Sequence, residues 1–256
     1  MYSFFHTLLA DRKGGEIFTL FSPWHFLYIG LAAAAIAVLL LSMRRKSGEV
    51  RERITRTLIH SAFLMYVADF FLMPLAYGEI DVEKLPFHAC TASCVACFLS
   101  YHIPYLAKYR TSFAMLGLIS NLVYLIYPAG VMWHAVHPVS YRVIQTLLFH
   151  ALMTVYTLLL LLWERDKLCI KKCYRELTVT ACMTLWALLG NYVYNGKSEG
   201  YDHFFNWFFV VRDPFYAIPE SIAPFIMPFL NLALFFGIQM GIHLIFWACK
   251  KTRTVS

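Results

Sequence analysis

The chain has 256 residues, of which 60% are hydrophobic and 14% charged. Soluble globular domains carry about 45–50% apolar and about 25% charged residues, so composition excludes a disordered chain, a disulfide scaffold and most soluble enzymes. The net charge of +7 must be read against membrane topology before it says anything about nucleic acid.

A bilayer core takes about 20 mostly apolar residues per helix. Residues 1–22 carry Phe4, Phe5, Phe18 and Phe21 ahead of Trp24 and read as an interfacial stretch. Seven spans are predicted after it, at 23–43, 57–77, 85–105, 112–132, 141–163, 176–194 and 221–248. The first is uncharged from Leu27 to Leu41 and is expected to be retained, because no small-residue cleavage site follows it. Between the sixth and seventh lies Tyr201-Asp-His-Phe-Phe-Asn-Trp-Phe-Phe209. That run is too apolar for open water and too short to cross, so a partly buried interfacial or re-entrant segment is expected. Pro214, Pro219, Pro224 and Pro228 punctuate the approach to the last span. The predicted architecture is an all-α polytopic membrane protein, a single seven-helix transmembrane domain over residues 1–256 without a separate soluble domain.

The loops set the orientation. Arg44, Arg45, Lys46, Arg51, Arg53 and Arg56 lie on one side with the basic residues of 108–110, 165–175 and 250–253, sixteen in all. Six lie on the other: Arg12, Lys13, Lys84, Arg142, Lys197 and Arg212. The positive-inside rule places the C-terminus in the cytoplasm and the N-terminus outside. The asymmetry accounts for the net charge without nucleic acid.

Ionisable groups inside a membrane are expensive and normally face a bundle interior or a wet cavity. Offsets along alternating helices convert to depth at about 1.5 Å per residue. On that scale Asp69, His88, Cys90, His150, His25, Asn191 and Tyr192 converge on the outer leaflet, beneath the aromatic run. Asp69 is expected to pair with a His or Arg. His60, His102 and His243 fall near the cytoplasmic ends and do not join the group, and few charges are expected within the cytoplasmic half. Cys90, Cys94 and Cys97 share one helix face, which reads as packing, and no metal site is expected. No Gly-rich phosphate loop or dinucleotide fingerprint is present in the sequence, so no cofactor is expected.

Two chemistries fit the outer group. A thiolate activated by imidazole supports acyl transfer, and His88 with Asp69 could act as a general-base pair on water or a lipid hydroxyl. In an ideal helix His88 and Cys90 would point about 200° apart, so a direct dyad requires a local departure from helical geometry.

Several strings resemble the YwaF-like bacterial integral membrane family: Phe18-Thr-Leu-Phe-Ser-Pro-Trp-His25, Leu85-Pro-Phe-His-Ala-Cys90, Phe149-His150, Asn191-Tyr192 and Pro214-Phe-Tyr216. That family is distantly similar to a eukaryotic transmembrane protein that moves acyl chains between phospholipids through a cysteine. In the eukaryotic pattern the cysteine directly precedes the histidine, after a proline. Phe87 holds the matching position here, so the resemblance carries over His88 and leaves Cys90 as the replacement nucleophile.

The expected function is lipid acyl transfer or hydrolysis at the cell membrane. His88, Asp69, His150 and Cys90 are the catalytic candidates, and His25, Asn191, Tyr192, Trp207 and Tyr216 are the substrate contacts. Membrane lipid, including an acyl-bearing substrate, is the expected partner. A non-catalytic small-solute transporter or receptor is the alternative. The orientation is directly testable: Cys169 and Cys173, in the basic 165–175 loop, should react with a membrane-impermeant maleimide only after cells are opened. Labelling of intact cells would reverse the topology.

Overall fold

The computed structural model describes residues 15–77, 82–132, 135–195, 205–215 and 217–255. The main helices are α1 (Pro23–Met43), α2 (Gly48–Tyr77), α3 (Ala89–Leu99), α4 (Arg110–Ile126), α5 (Tyr141–Trp163), α6 (Tyr174–Tyr194) and α7 (Ala223–Val255). Short helical turns lie between them, and no strand occurs among the described residues.

Five of the helices, α1, α2, α5, α6 and α7, are long and apolar enough to cross a membrane. The segments expected to form the third and fourth spans are shorter helices, of 11 and 17 residues. At 1.5 Å per residue they rise about 16 and about 25 Å, against a hydrocarbon core of about 30 Å. Proline accounts for the interruptions. A proline lacks the N–H that a continuing helix needs and disfavours helical backbone in the residue before it. After α3 the chain turns at Tyr101–Ile103 and restarts with Pro104 as the first residue of a one-turn helix. Pro128 likewise separates α4 from the turn Ala129–Met132.

The chain divides into two compact units, Met1–Lys84 with Ser120–Trp163 and Leu85–Ile119 with Glu164–Ser256. In the first, α5 is the central post against which α1 and α2 pack, and most of its length is buried. Ser22 caps α1 by accepting the His25 N–H, and Pro23 occupies the first helical position, the favoured arrangement for a helix start. Ahead of it, the Phe18 N–H donates to the Val136 carbonyl at 2.8 Å. Phe18 packs with Leu125, Val136, Val143 and Leu147 into a core. Apart from His25 and Ala32, α1 keeps an unburied apolar surface that includes Phe26, Leu31, Val38 and Leu41. A helix apolar on every side needs lipid or protein around it.

In the second unit α6 and α7 run antiparallel, and the tight turn Trp207–Phe209 packs on both. Trp207 and Phe208 are buried, so this part of the aromatic run belongs to the core of the unit. Phe208 and Phe209 adopt left-handed backbone, φ 56° and 52°, at a cost of about 1 kcal/mol or more each. The Asn231 amide donates to both of their carbonyls, at 2.9 and 2.6 Å, which offsets that strain. On α6, Gly190 accommodates Phe87: a Cβ there would sit 2.5 Å from the Phe87 ring. The ring stacks on Trp186 and tilts against Trp207, each with centroids 4.9 Å away.

Asp213 braces the approach to α7. Its carboxylate accepts the backbone N–H groups of Phe215, Ala217 and Ile218 at 2.8–2.9 Å. These bonds, that from Phe215 foremost, hold its carboxyl below the usual carboxylate range. The brace is therefore complete above the ordinary Asp range and lost as pH falls through the lowered value. Amides of Ala217 and Ile218 should show high protection relative to the intrinsic exchange rate near neutrality, and that protection should fall only in acid, below the ordinary Asp range. Asp213→Ala should exchange fast at every pH; equal protection in mutant and wild type would refute the brace.

Candidate functional site

The C-terminal part of α2 in the first unit carries a buried polar network. Asp69 is 1% exposed, and its Oδ2 lies 3.0 Å from the Lys84 ammonium. The Tyr141 hydroxyl donates to its Oδ1 at 2.8 Å. The Tyr66 hydroxyl donates to the Lys84 carbonyl at 2.8 Å. Lys84 also reaches Gln145 Oε1 at 3.5 Å. The expected His or Arg partner of Asp69 is thus corrected to Lys84. A buried carboxylate requires a cation, and Lys84 is brought to it by the helical turn Val82–Lys84.

The network continues along α5. Thr146 donates to Gln145 Oε1, and His150 Nδ1 donates to the Thr146 carbonyl at 2.7 Å. The His150 ring stacks on Tyr124 with centroids 3.9 Å apart. Asp69 and His150 are thus linked through Lys84, Gln145 and Thr146. His25 has a different setting. It is fully buried, its Nδ1 accepts the Phe21 N–H at 3.1 Å, and its Nε2 donates to the Leu125 carbonyl at 2.8 Å. One neutral tautomer satisfies both bonds, and the ring pins the start of α1 to the end of α4.

In the second unit His88 and Cys90 open α3. His88 is the N-cap residue, with extended backbone (φ −78°, ψ 145°), and its side chain makes no capping bond. Ala89 is the first helical residue, Cys90 the second, and both His88 and Cys90 are partly buried. The 200° separation of an ideal helix therefore does not apply to this pair. The amides of a first helical turn lack intrahelical partners and point toward whatever lies at the helix start. Cys94 and Cys97, further along the same face, are fully buried packing residues.

Among the expected substrate contacts, Asn191 is buried and structural: its amide donates to the Trp207 carbonyl and its Oδ1 accepts the Trp207 N–H, both at 3.1 Å. Trp207 is 1% exposed, whereas Tyr192 is 86% exposed. Tyr216 lies outside the described residues.

At the other end of the second unit is a group absent from the sequence expectations. The Ser112 hydroxyl donates to Glu176 Oε1 at 2.9 Å, and His243 Nε2 lies 3.4 Å from the same oxygen. One turn along, Thr180 donates to Gln239 Oε1 at 3.1 Å. Glu176 and Thr180 on α6, and Gln239 and His243 on α7, are each spaced i, i+4, the spacing of one helix face. That double spacing was the available signal. It was masked because Glu176 adjoins a basic loop and reads as solvated.

Breaking a buried ion pair by removing one partner costs on the order of 3 kcal/mol, because it strands the other charge. Asp69→Asn and Lys84→Gln should each lower the melting temperature of the purified protein clearly. The double variant should recover part of that loss. Strictly additive losses would show that the pair is not coupled.

Residues 20–248 match the TMEM164 family. No curated protein and no solved structure matches the chain significantly. The match takes in α1 through most of α7, including the strings around His25, His88 and His150. The chain is a membrane protein of the TMEM164 family.

Proposed function

We propose that the protein is a multi-pass enzyme of the cell membrane that transfers or hydrolyses acyl chains of a lipid in the outer leaflet. In this reading the five long helices cross the bilayer, and α3 and α4 complete the two remaining passes with the short turns that flank them. The sixteen-to-six division of basic residues supports an external N-terminus and a cytoplasmic C-terminus.

The observation that carries the proposal is the start of α3, where an uncapped helix N-terminus adjoins one imidazole and one thiol. The Cys90 thiolate attacks the ester carbonyl as His88 takes the thiol proton, and the resulting oxyanion is stabilised by first-turn amides. The ester C–O bond breaks, a thioester forms, and His88 returns its proton to the departing lysolipid oxygen. A second lipid hydroxyl, or water, then attacks the thioester and gives its proton to His88, which restores the thiol. Asp69 and His150 serve the first unit as parts of the network that fixes α2 to α5. The resemblance to a lipid acyl-transferring protein points the same way.

Purified protein given mixed phospholipids and lysophospholipids should redistribute or release acyl chains. General acid–base catalysis is worth about 10²–10⁴-fold, so His88→Ala should lose activity on that scale while remaining folded. Cys90→Ser should abolish both activity and a trappable acyl-enzyme. Near-normal turnover by Cys90→Ser would assign attack to water or a lipid hydroxyl with His88 as base. If wild-type protein leaves every acyl chain in place while binding a small solute, the transporter or receptor reading replaces the enzyme.

A further inference from the structure

We propose that Glu176, His243 and Ser112 form a proton-binding site inside the second unit, at the end of α6 next to the basic loop. The residues come from α6, α7 and α4, and all are nearly inaccessible: Ser112 is 0% exposed and Glu176 and His243 are each 3% exposed. A buried carboxylate without a counter-charge is costly, and a proton on the neighbouring imidazole relieves that cost.

The three residues meet at one carboxylate oxygen. Ser112 donates to Glu176 Oε1, and Glu176 stands in the first turn of α6. The imidazole is the one base among the three that can carry the proton as a cation, and its Nε2 lies 3.4 Å from Glu176 Oε1. Glu176 Oε2, Gln239 Nε2 and His243 Nε2 are buried and have no hydrogen-bond partner among the described residues, so the group is not saturated by its own side chains. A purely structural polar rung would be saturated.

Other charges near this end have different contacts. Arg110 bonds Ser100 and lies over the Tyr101 ring. Arg175 donates to the Lys108 carbonyl and lies by Tyr174. Lys171 and Lys172, on the turn that packs against α7, are exposed, as is Cys182 on α6, while Cys173 is partly buried. The side chains of Lys250, Lys251 and Arg253 lie outside the described residues. With His243 neutral the pair carries one negative charge, and this basic end limits its cost. One proton can thus leave to solvent and return, carried by His243 each time.

The test uses full-length protein in lipid nanodiscs with nitrogen-labelled histidine, assigning His243 by comparison with His243→Asn. The His243 ring should show a reversible one-proton transition between about pH 5 and 8. Glu176→Gln should abolish it, because an imidazolium without its counter-charge does not form at that depth. Ser112→Ala should move its midpoint while leaving the transition present. A His243 signal constant across that range in wild type overturns the proposal, as does a transition unchanged in Glu176→Gln. If Glu176→Gln fails to fold, the wild-type titration and the Ser112→Ala shift decide it. None of these readouts depends on acyl transfer, so this proposal and the proposed activity fail independently.

Discussion

A hydrocarbon core supplies no hydrogen-bond partners, and this condition shapes the chain. Backbone groups must be satisfied within each segment, which accounts for the helices and for the lack of strands among the described residues. Side-chain polar groups must find partners among themselves. They do so in compact groups near helix ends: Asp69 with Lys84 and Tyr141, Asn191 with the Trp207 backbone, and Glu176 with Ser112 and His243. Between these groups the helices present long apolar surfaces.

The groups are chemically unlike. The Asn191 and Asn231 contacts are neutral and fix irregular backbone. The Asp69 pair is charged and joins a helix to the segment that follows it. The histidines divide in the same way. His25 has both ring nitrogens engaged by backbone groups, whereas His243 faces a carboxylate. Residue type and depth alone do not distinguish these settings; the atoms opposite each ring nitrogen do.

How much of this was legible in the sequence follows from how local each determinant is. The segments 23–43 and 141–163 coincide with α1 and α5, because a continuous apolar run with a Ser-Pro start, or one bounded by loop residues, is a local signal. The segments 85–105 and 112–132 were read as whole spans although Pro104 and Pro128 break their helices. Hydropathy averages across such breaks. Depth placed Asp69 and His150 in one group with His25, His88, Cys90, Asn191 and Tyr192; the contacts of Asp69 and His150 lead through Lys84, Gln145 and Thr146. The partner of Asp69 was misassigned because the identity of a long-range contact is not written in spacing. His243 was set aside as peripheral and Glu176 was not singled out, because depth along one helix says nothing about burial between several.

The seat of Phe87 ties the sequence at two distant positions together. Its ring fills a notch made by Gly190 and lined by Trp186 and Trp207, so the position functions here as a wedge. A cysteine at that site would leave a ring-sized gap beside two indoles, while any side chain larger than hydrogen at residue 190 would collide with the wedge. Replacement of either residue is therefore a matched exchange, in which the notch fills as the wedge shrinks, and a variant holding only one half is either hollow or overcrowded.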